Sequence, residues 1–390
     1  MRRTDLSPDR QRNLVKCDEP YTHCKALVPP PALRMLPLTT KTVAAIQRAH
    51  EALGRLQAEA GRLPNTDLIT RTLARREAVH SSQIEGTQTR LPELLEYEAT
   101  CGADGSSPDM RITERYVTAL SEALVDVRAT PPTGLSLRLV QRLHQMLIQD
   151  NGAHVRPGEW RQVQAWIGAG RIEDAIFVPP PPSAIDACMR ELESSMLRYA
   201  MNEDEFGEIS IVSRLAITHA HFETIHPFVD GNGRVGRLLM PLMLVEAGYP
   251  ALYLSGYLLR YRHAYYDALA AVQLRNEWDP WTTFLCNAIV NACDTSLSIA
   301  RDMNAIADDW MLRLADIRKD ALVLKVPRLL LGHPITSVNE LAALLDTSFP
   351  TAAGAIDTLV SRGILQDRHP ERRRNRLFHA RQLLERLERE

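Results

Sequence analysis

The sequence predicts a mainly α-helical protein, with a β-hairpin among the helices and a small mixed unit near the C-terminus. Three observations carry that expectation. Apolar residues recur at helical spacing, as in Val43, Ile46, Ala49, Leu53 and Leu56. A stretch of β character, Asp174-Ala175-Ile176-Phe177-Val178, runs into prolines at 179–182. Further on, two short helical patterns precede strand-like Ile364-Leu365-Gln366, a basic turn and Leu377-Phe378-His379-Ala380.

A chain of 390 residues exceeds one small domain and suggests two or three. With 45% apolar and 24% charged residues, it has ample material for a core. A net charge of −2 argues against a whole-protein electrostatic grip on nucleic acid and leaves room only for a local patch. The six cysteines show no CxxC pairing, and Cys17 and Cys24 look too irregularly set for a zinc site. Reduced, mostly structural thiols in a cytoplasmic protein are expected. Met-Arg-Arg at the start is not followed by an apolar core, and no apolar run is long enough to span a bilayer, so no membrane partner is expected.

Residues 1 to about 38 are polar and then proline-punctuated. They predict a disordered tail over roughly the first twenty residues, followed by an extended arm on a domain surface. Helices are expected from Thr40 to near Gly61 and from Asn65 to Ala78. Just beyond, Ser81 and Glu85 lie one helical turn apart, and Gly86 is suited to stop that helix. Residues 101–110 have loop composition, and helices follow at about 111–129 and 136–150.

The segments 163–168 and 174–182 form the expected hairpin, with Gly168-Ala169-Gly170 in its turn region. Prolines cannot donate to a ladder, so its last strand should be an edge. A long helix at roughly 183–201 and an acidic connector then lead to a helical pattern over 211–225. His219, Glu223 and His226 share a face of that helix, a set in which a transition-metal site is conceivable but short of ligands. His221 points elsewhere and is expected to be a core histidine.

The densest stretch is His226-Pro227-Phe228-Val229-Asp230-Gly231-Asn232-Gly233-Arg234-Val235-Gly236-Arg237. A buried helical pattern, 238–245, follows it, so the run opens onto a helix N-terminus. Backbone N–H groups there have no intrahelical partner and carry partial positive charge. Gly231, Gly233 and Gly236 let backbone approach a ligand, which makes the run a candidate anion cradle. Arg234 and Arg237 can add bidentate contacts to phosphate oxygens. Asp230 is a hard oxygen ligand suited to Mg²⁺ on a polyphosphate, and His226 can take a proton near neutral pH. An EF-hand fails here, because the spacing puts Arg234 where an oxygen is required.

This run matches the Fic-family motif HPFx[DE]GNGRxGR at every defined position, so the chain resembles that family. The resemblance covers the chain from the proline arm to about residue 290. It implies the Fic helical fold and transfer of AMP from ATP to a Ser, Thr or Tyr hydroxyl of a protein target. His226 would be the base and Asp230 the Mg²⁺ ligand. Gly231, Asn232, Gly233, Arg234, Val235, Gly236 and Arg237 would bind the nucleotide. Tyr266 and Gln273, on a helix expected over 257–274, would line the adenine side. The stretch 81–86 resembles the family's inhibitory motif [ST]xxxE[GN], with Ser81 and Glu85 in the defined positions and Glu85 set against Arg237. The hairpin resembles the Fic flap, which would hold the target near 162–178 by strand addition. Self-modification and a homodimer are compatible with this reading, as is removal of AMP by the same site.

The expected domains are an arm and helices with the inhibitory motif (1–100), the catalytic domain (111–290), a connecting helix (291–320) and a last unit (321–390). That last unit resembles a winged helix-turn-helix. Ser337 and Glu340 form a capping-box signature, and Arg372, Arg373, Arg374 and Arg376 lie in the wing, where they could meet phosphate. The would-be recognition helix is small and apolar, with few base-reading side chains. A DNA-bound regulator with a nucleotide-sensing domain is therefore the alternative function.

Overall fold

In the computed structural model two buried helices, Ile211–Ile225 and Asn232–Glu246, flank the motif run. All residues are described except 2, 38, 101, 103–106, 130–133, 150–154, 202–206, 371–375 and 390. The chain forms two compact units, residues 1–55 with 118–293, and residues 56–117 with 294–390. Among the described residues no helix is long and apolar enough to cross a membrane.

The first unit is built around Ile211–Ile225, a helix buried along nearly its whole length. Ser210 caps it by accepting from the Ser213 N–H, which satisfies one orphan donor of the first turn. The helices Leu137–Ile148, Pro182–Leu192, Ser255–Arg260 and Arg262–Arg275 also belong to this unit. The single helix expected over 257–274 is thus broken at Tyr261. The helix expected over 183–201 ends early, in a π-turn at Glu193–Leu197.

The N-terminal segment departs from the expected disorder. Residues Pro8–Arg12 are helical, and Leu14–Lys16 pairs antiparallel with Lys25–Leu27, Val15 opposite Ala26. The reason is distant in sequence. Arg10 is buried and donates through Nε and Nη2 to the Val272 carbonyl at 3.2 and 2.9 Å, tying the segment to Arg262–Arg275. The proline arm that follows is also anchored, since the Pro30 carbonyl accepts from His221 Nε2 at 2.9 Å. Burial lowers the His221 pKa to about 4, so the ring is neutral and packed, as the sequence suggested.

The flap is sparser than a hairpin. Ile167 and Phe177 form one antiparallel bridge, and a 3₁₀ turn, Ile172–Asp174, lies between them. Gly168 has φ of +89°, and a Cβ there would sit 2.5 Å from Ile176 Cδ1, so only glycine fits this turn. The proline strand is not a bare edge. Its prolines cannot donate, but its carbonyls accept: Val178 from the Leu27 N–H, Pro179 from Gln164 Nε2 and Pro180 from Arg161 Nη2.

The second unit contains Thr66–Ile84 and Leu91–Ala99 with the C-terminal elements. Thr72 Oγ1 donates to the Leu331 carbonyl at 2.6 Å, and Arg75 pairs with Glu98 at 2.6 Å. The helices Val338–Leu344 and Phe349–Ser361 and the strands Gln366–Asp367 and Leu377–His379 follow the expected order, and a strand the sequence did not suggest, Ile335–Ser337, precedes them. Leu377–His379 is the central strand, pairing antiparallel with both others. Ser337 accepts from the Glu340 N–H at 3.1 Å as the capping signature predicts, while the Glu340 carboxylate bonds His333 instead. The connecting helix is longer than expected, running unbroken over Trp278–Arg313.

Candidate active site

The loop between the two motif helices is fixed by side chains that close on its own backbone. His226 ends Ile211–Ile225 in the left-handed region, with φ of +50° and ψ of +61°, and its N–H still donates to the Phe222 carbonyl. A non-glycine residue there is strained, so the surroundings must hold it. Arg161 does so. It is 2% exposed, and its guanidinium donates to the carbonyls of His226 (2.9 Å), Val163 (2.9 Å) and Pro180 (2.6 Å). Its own N–H donates to the Pro227 carbonyl. Burial lowers the Arg161 pKa to about 10, which leaves it cationic at neutral pH. One buried side chain thus couples the candidate base to the root of the flap.

The middle of the loop is braced by Asn232. Its Oδ1 accepts from the Phe228 N–H at 2.9 Å and its Nδ2 donates to the Phe228 carbonyl at 2.8 Å. Both ends of the amide are therefore engaged by the loop. The first intrahelical bond of Asn232–Glu246 runs from Val235 N–H to the Gly231 carbonyl. Helix geometry then leaves the N–H groups of Asn232, Gly233 and Arg234 directed out of the helix end. Those three amides make up the candidate anion cradle.

His144 supports the loop from the helix Leu137–Ile148. Its ring stacks on Phe228 at 3.7 Å between centroids, with 4° between planes. The Gly158 N–H donates to Nδ1 at 2.8 Å, so Nε2 carries the proton and donates to the Asp230 carbonyl at 3.1 Å. Burial lowers its pKa to about 4. Gly231 turns the chain beneath it with φ of +83°, where a Cβ would stand 2.9 Å from Ile148 Cδ1.

Some residues expected to touch nucleotide are used differently. A Cβ on Gly236 would meet Glu223 Oε1 at 2.6 Å and Phe222 Cδ1 at 3.2 Å, so that glycine serves close packing of the two helices. Val235 is wholly buried and belongs to the core. Gln273 is buried, and its Nε2 donates to the Glu223 carbonyl at 3.3 Å, tying neighbouring helices. Tyr266 is 42% exposed, with the Arg262 guanidinium 5.7 Å from its ring centroid. Its neighbour Tyr265 is the buried one and donates to His219 Nε2 at 2.8 Å.

That bond also bears on the transition-metal set. His219 Nδ1 donates to the Gly236 carbonyl at 3.2 Å, so both ring nitrogens are occupied. Burial, and more weakly the charge of Arg237, lower its pKa to about 3. With its nitrogens spoken for, His219 does not join Glu223 and His226 around a metal.

The Asp230 carboxylate remains open to solvent at 54% exposure. Its Oδ1 accepts from the Gly231 N–H at 2.7 Å, and its Oδ2 lies 3.2 Å from Arg234 Nη2. Arg234 and Arg237 are both buried, at 4% and 1% exposure. Ser81 is buried in the last turn of Thr66–Ile84, and Glu85 is the exposed C-cap. Gly86 follows with φ of +100°, the left-handed stop that the sequence predicted. Sequence reasoning gave no role to Arg161 or His144. Neither carries a local signal, because their loop partners lie 65 and 86 residues away.

Two family models match the chain. Residues 43–125 match the Fic/DOC family N-terminal model, and residues 134–244 match the Fic/DOC family model. The protein adenylyltransferase Fic of Drosophila grimshawi is 28% identical over 230 residues, spanning 57% of this chain and 43% of that protein. The Drosophila mojavensis protein of the same name is 27% identical over 316 residues, 75% of this chain and 56% of its own length. The chain thus spans about half the length of the curated relatives it matches. A Fic family protein from Desulfovibrio desulfuricans shares the fold with a TM-score of 0.54 at 21% identity, over 90% of this chain and 98% of its own. Fic-1 from C. elegans aligns with a TM-score of 0.51 at 20% identity, over 67% and 75%. With its motif intact inside the second matched segment, the chain carries a Fic/DOC family domain preceded by that family's N-terminal segment.

Proposed function

We propose that this protein transfers AMP from ATP to a hydroxyl side chain of a protein target. The observation that carries the reading is the loop itself. A strained, clamped histidine is followed four residues later by an exposed aspartate, and then by an open helix N-terminus. In this reading His226 removes the proton of a target Ser, Thr or Tyr. The freed oxygen bonds the α-phosphorus, and pyrophosphate leaves with the electron pair of the broken P–O bond. The amides of Asn232, Gly233 and Arg234 hold phosphate oxygens, with Arg234 and Arg237 assigned to the polyphosphate.

Asp230, an exposed hard oxygen donor, would hold a magnesium ion. When bound, that ion neutralises charge on the phosphates. Catalysis is then positioning and charge stabilisation, in which one lost donor costs about 3 kcal/mol, or roughly a hundredfold in rate.

Target docking is assigned to the flap. Val163, Ile176 and Val229 are apolar yet 58%, 56% and 42% exposed, on the flap and the adjoining loop. An extended target segment there would gain backbone bonds and apolar contacts together. Glu85 is assigned as the restraint on transfer, on the strength of its motif and its exposed position at a helix end. Self-modification and homodimer formation belong to the same reading as routes of regulation. Tyr266 is the candidate adenine contact.

The DNA-bound alternative draws less support. Arg368 pairs with Glu96, and Arg376 pairs with Asp367 at 2.6 Å, so these wing cations already face carboxylates. Arg372, Arg373 and Arg374 lie outside the described residues.

The test is protein-bound label from α-phosphate-labelled ATP with Mg²⁺ and cell lysate. Glu85→Gly should label more strongly than wild type, and adding His226→Ala should remove the signal by at least about a hundredfold. Equal labelling with and without His226 would overturn the assignment of the base. Equal labelling with and without Glu85 would overturn the restraint.

A further inference from the structure

Away from the loop, three metal-binding side chains converge beneath the flap. His23, Cys24 and Glu173 each bring one ligand atom to within 4.8 Å of the other two. His23 Nε2 and Glu173 Oε1 are already 3.1 Å apart. These residues are 150 positions apart in sequence, His23 and Cys24 in the turn of the N-terminal hairpin and Glu173 in the 3₁₀ turn of the flap.

The backbone beneath them is set by other contacts. Leu27 N–H donates to the Val178 carbonyl at 2.9 Å, and Cys17 N–H donates to the Cys24 carbonyl at 3.1 Å. Cys17 and Ala26 of the hairpin form one apolar cluster with Ile172, Ala175 and Val178 of the flap, and Trp166 and Tyr21 pack against it. The two turns are therefore brought together before any ion arrives.

We propose that His23, Cys24 and Glu173 bind a zinc ion that pins the flap turn to the N-terminal hairpin. The donor set of imidazole nitrogen, thiolate sulfur and carboxylate oxygen is one that zinc takes, with water in the fourth position. Tetrahedral zinc sets its ligand atoms about 3.5 Å apart, so the cluster needs to close by roughly 1 Å. His23 and Glu173 have exposed side chains that can make that adjustment. As a bare ion pair, His23–Glu173 would add little to stability, because exposed pairs are screened.

The step balances as zinc plus thiol giving zinc thiolate and one released proton. The Cys24 thiol starts protonated, since burial and the nearby Glu173 charge raise its pKa. The consequence falls on the flap, whose backbone is held by one bridge and a few carbonyl bonds above that apolar cluster. A pinned turn at 172–174 would steady the segment that carries Ile167 and Ile176. Metal binding stands on its own, whereas its effect on target docking rests on the transfer reading.

The experiment titrates Co²⁺ into the full chain, reduced and stripped of metal, with Zn²⁺ as competitor. One equivalent should produce a sulfur-to-cobalt absorption band and tetrahedral visible bands, both displaced by zinc. His23→Ala, Cys24→Ser and Glu173→Gln should each weaken binding at least about a hundredfold, and Cys24→Ser should abolish the sulfur band. Cys188→Ser should leave both unchanged. Zinc should slow amide exchange over residues 167–178 in wild type and leave Cys24→Ser unaffected. A sulfur band that survives Cys24→Ser, unchanged affinity in Glu173→Gln, or no band in wild type would overturn the site. None of these readouts depends on nucleotide transfer, so their failure is separate from failure of that reading.

Discussion

The motif loop and the flap lie in the same unit, yet they are held in opposite ways. In the loop nearly every fixing bond runs from a buried side chain to backbone: Arg161 to His226, Asn232 to Phe228, His144 to Asp230. The flap has one strand bridge and a 3₁₀ turn; Ile172, Ala175, Phe177 and Val178 anchor its inner face, while Val163 and Ile176 are left in water. The contrast separates two tasks. Phosphate chemistry needs donors fixed to within a fraction of an ångström, which buried side-chain-to-backbone bonds supply. Accepting a protein segment needs unsatisfied backbone and exposed apolar surface, which a fully bonded hairpin would lack.

Acid offers the largest test of that contrast. His144, His219 and His221 have folded pKa values lowered by burial to about 4, 3 and 4, below the ordinary 6.5. Above pH 6.5 neither the folded nor the unfolded chain protonates them. Below it the unfolded chain binds protons that the folded chain refuses, so stability falls as pH drops from 6.5 toward 4. Each histidine contributes about 1.4 kcal/mol per pH unit at its steepest, and the three together roughly 4. Denaturant midpoints across that range should show the slope. His144→Asn should reduce it by about 1.4 kcal/mol per pH unit at its steepest, and a slope unchanged by that substitution would place the acid sensitivity elsewhere.

Arg161→Ala comes next, because it strands several buried carbonyls at once. A loss of roughly 3 kcal/mol is expected from chemical denaturation, with transfer activity falling as His226 loses its clamp. Activity retained at wild-type level would show that the strained histidine conformation needs no such support. Gly231→Ala should cost about 2 kcal/mol, combining a left-handed residue with a clash against Ile148. A thermal scan with no shift would contradict that geometry. On the flap, Ile176→Ala should change stability by less than about 0.5 kcal/mol, since the side chain is exposed. Its effect should appear in target labelling as a raised KM with kcat preserved. A stability loss as large as that of Arg161→Ala would remove the distinction between the two regions.

What was legible in the sequence follows the same division. The motif is a run of adjacent residues, so its loop, the helix behind it and the Gly86 helix stop could be placed from spacing alone. The capping of Val338–Leu344 by Ser337 was equally local. Contacts between distant residues had no such signal. Arg10 reaches Val272 across 262 positions and orders a segment whose composition suggests disorder. Gly236 looks like a ligand-facing glycine until Glu223 and Phe222 are seen against it. The pairing of His23 and Cys24 with Glu173 was invisible for the same reason, since cysteine spacing within one segment cannot report a carboxylate brought in by the fold.

The account rests on His226 directing attack at the α-phosphorus, and isotope position tests that most directly. Glu85→Gly protein should be incubated with lysate and Mg²⁺, with ATP labelled at the α-phosphate in one reaction and at the γ-phosphate in the other. Protein-bound label from the α-position alone, lost when His226→Ala is added, is the predicted result. Label from the γ-position, or α-label that persists without His226, would contradict it.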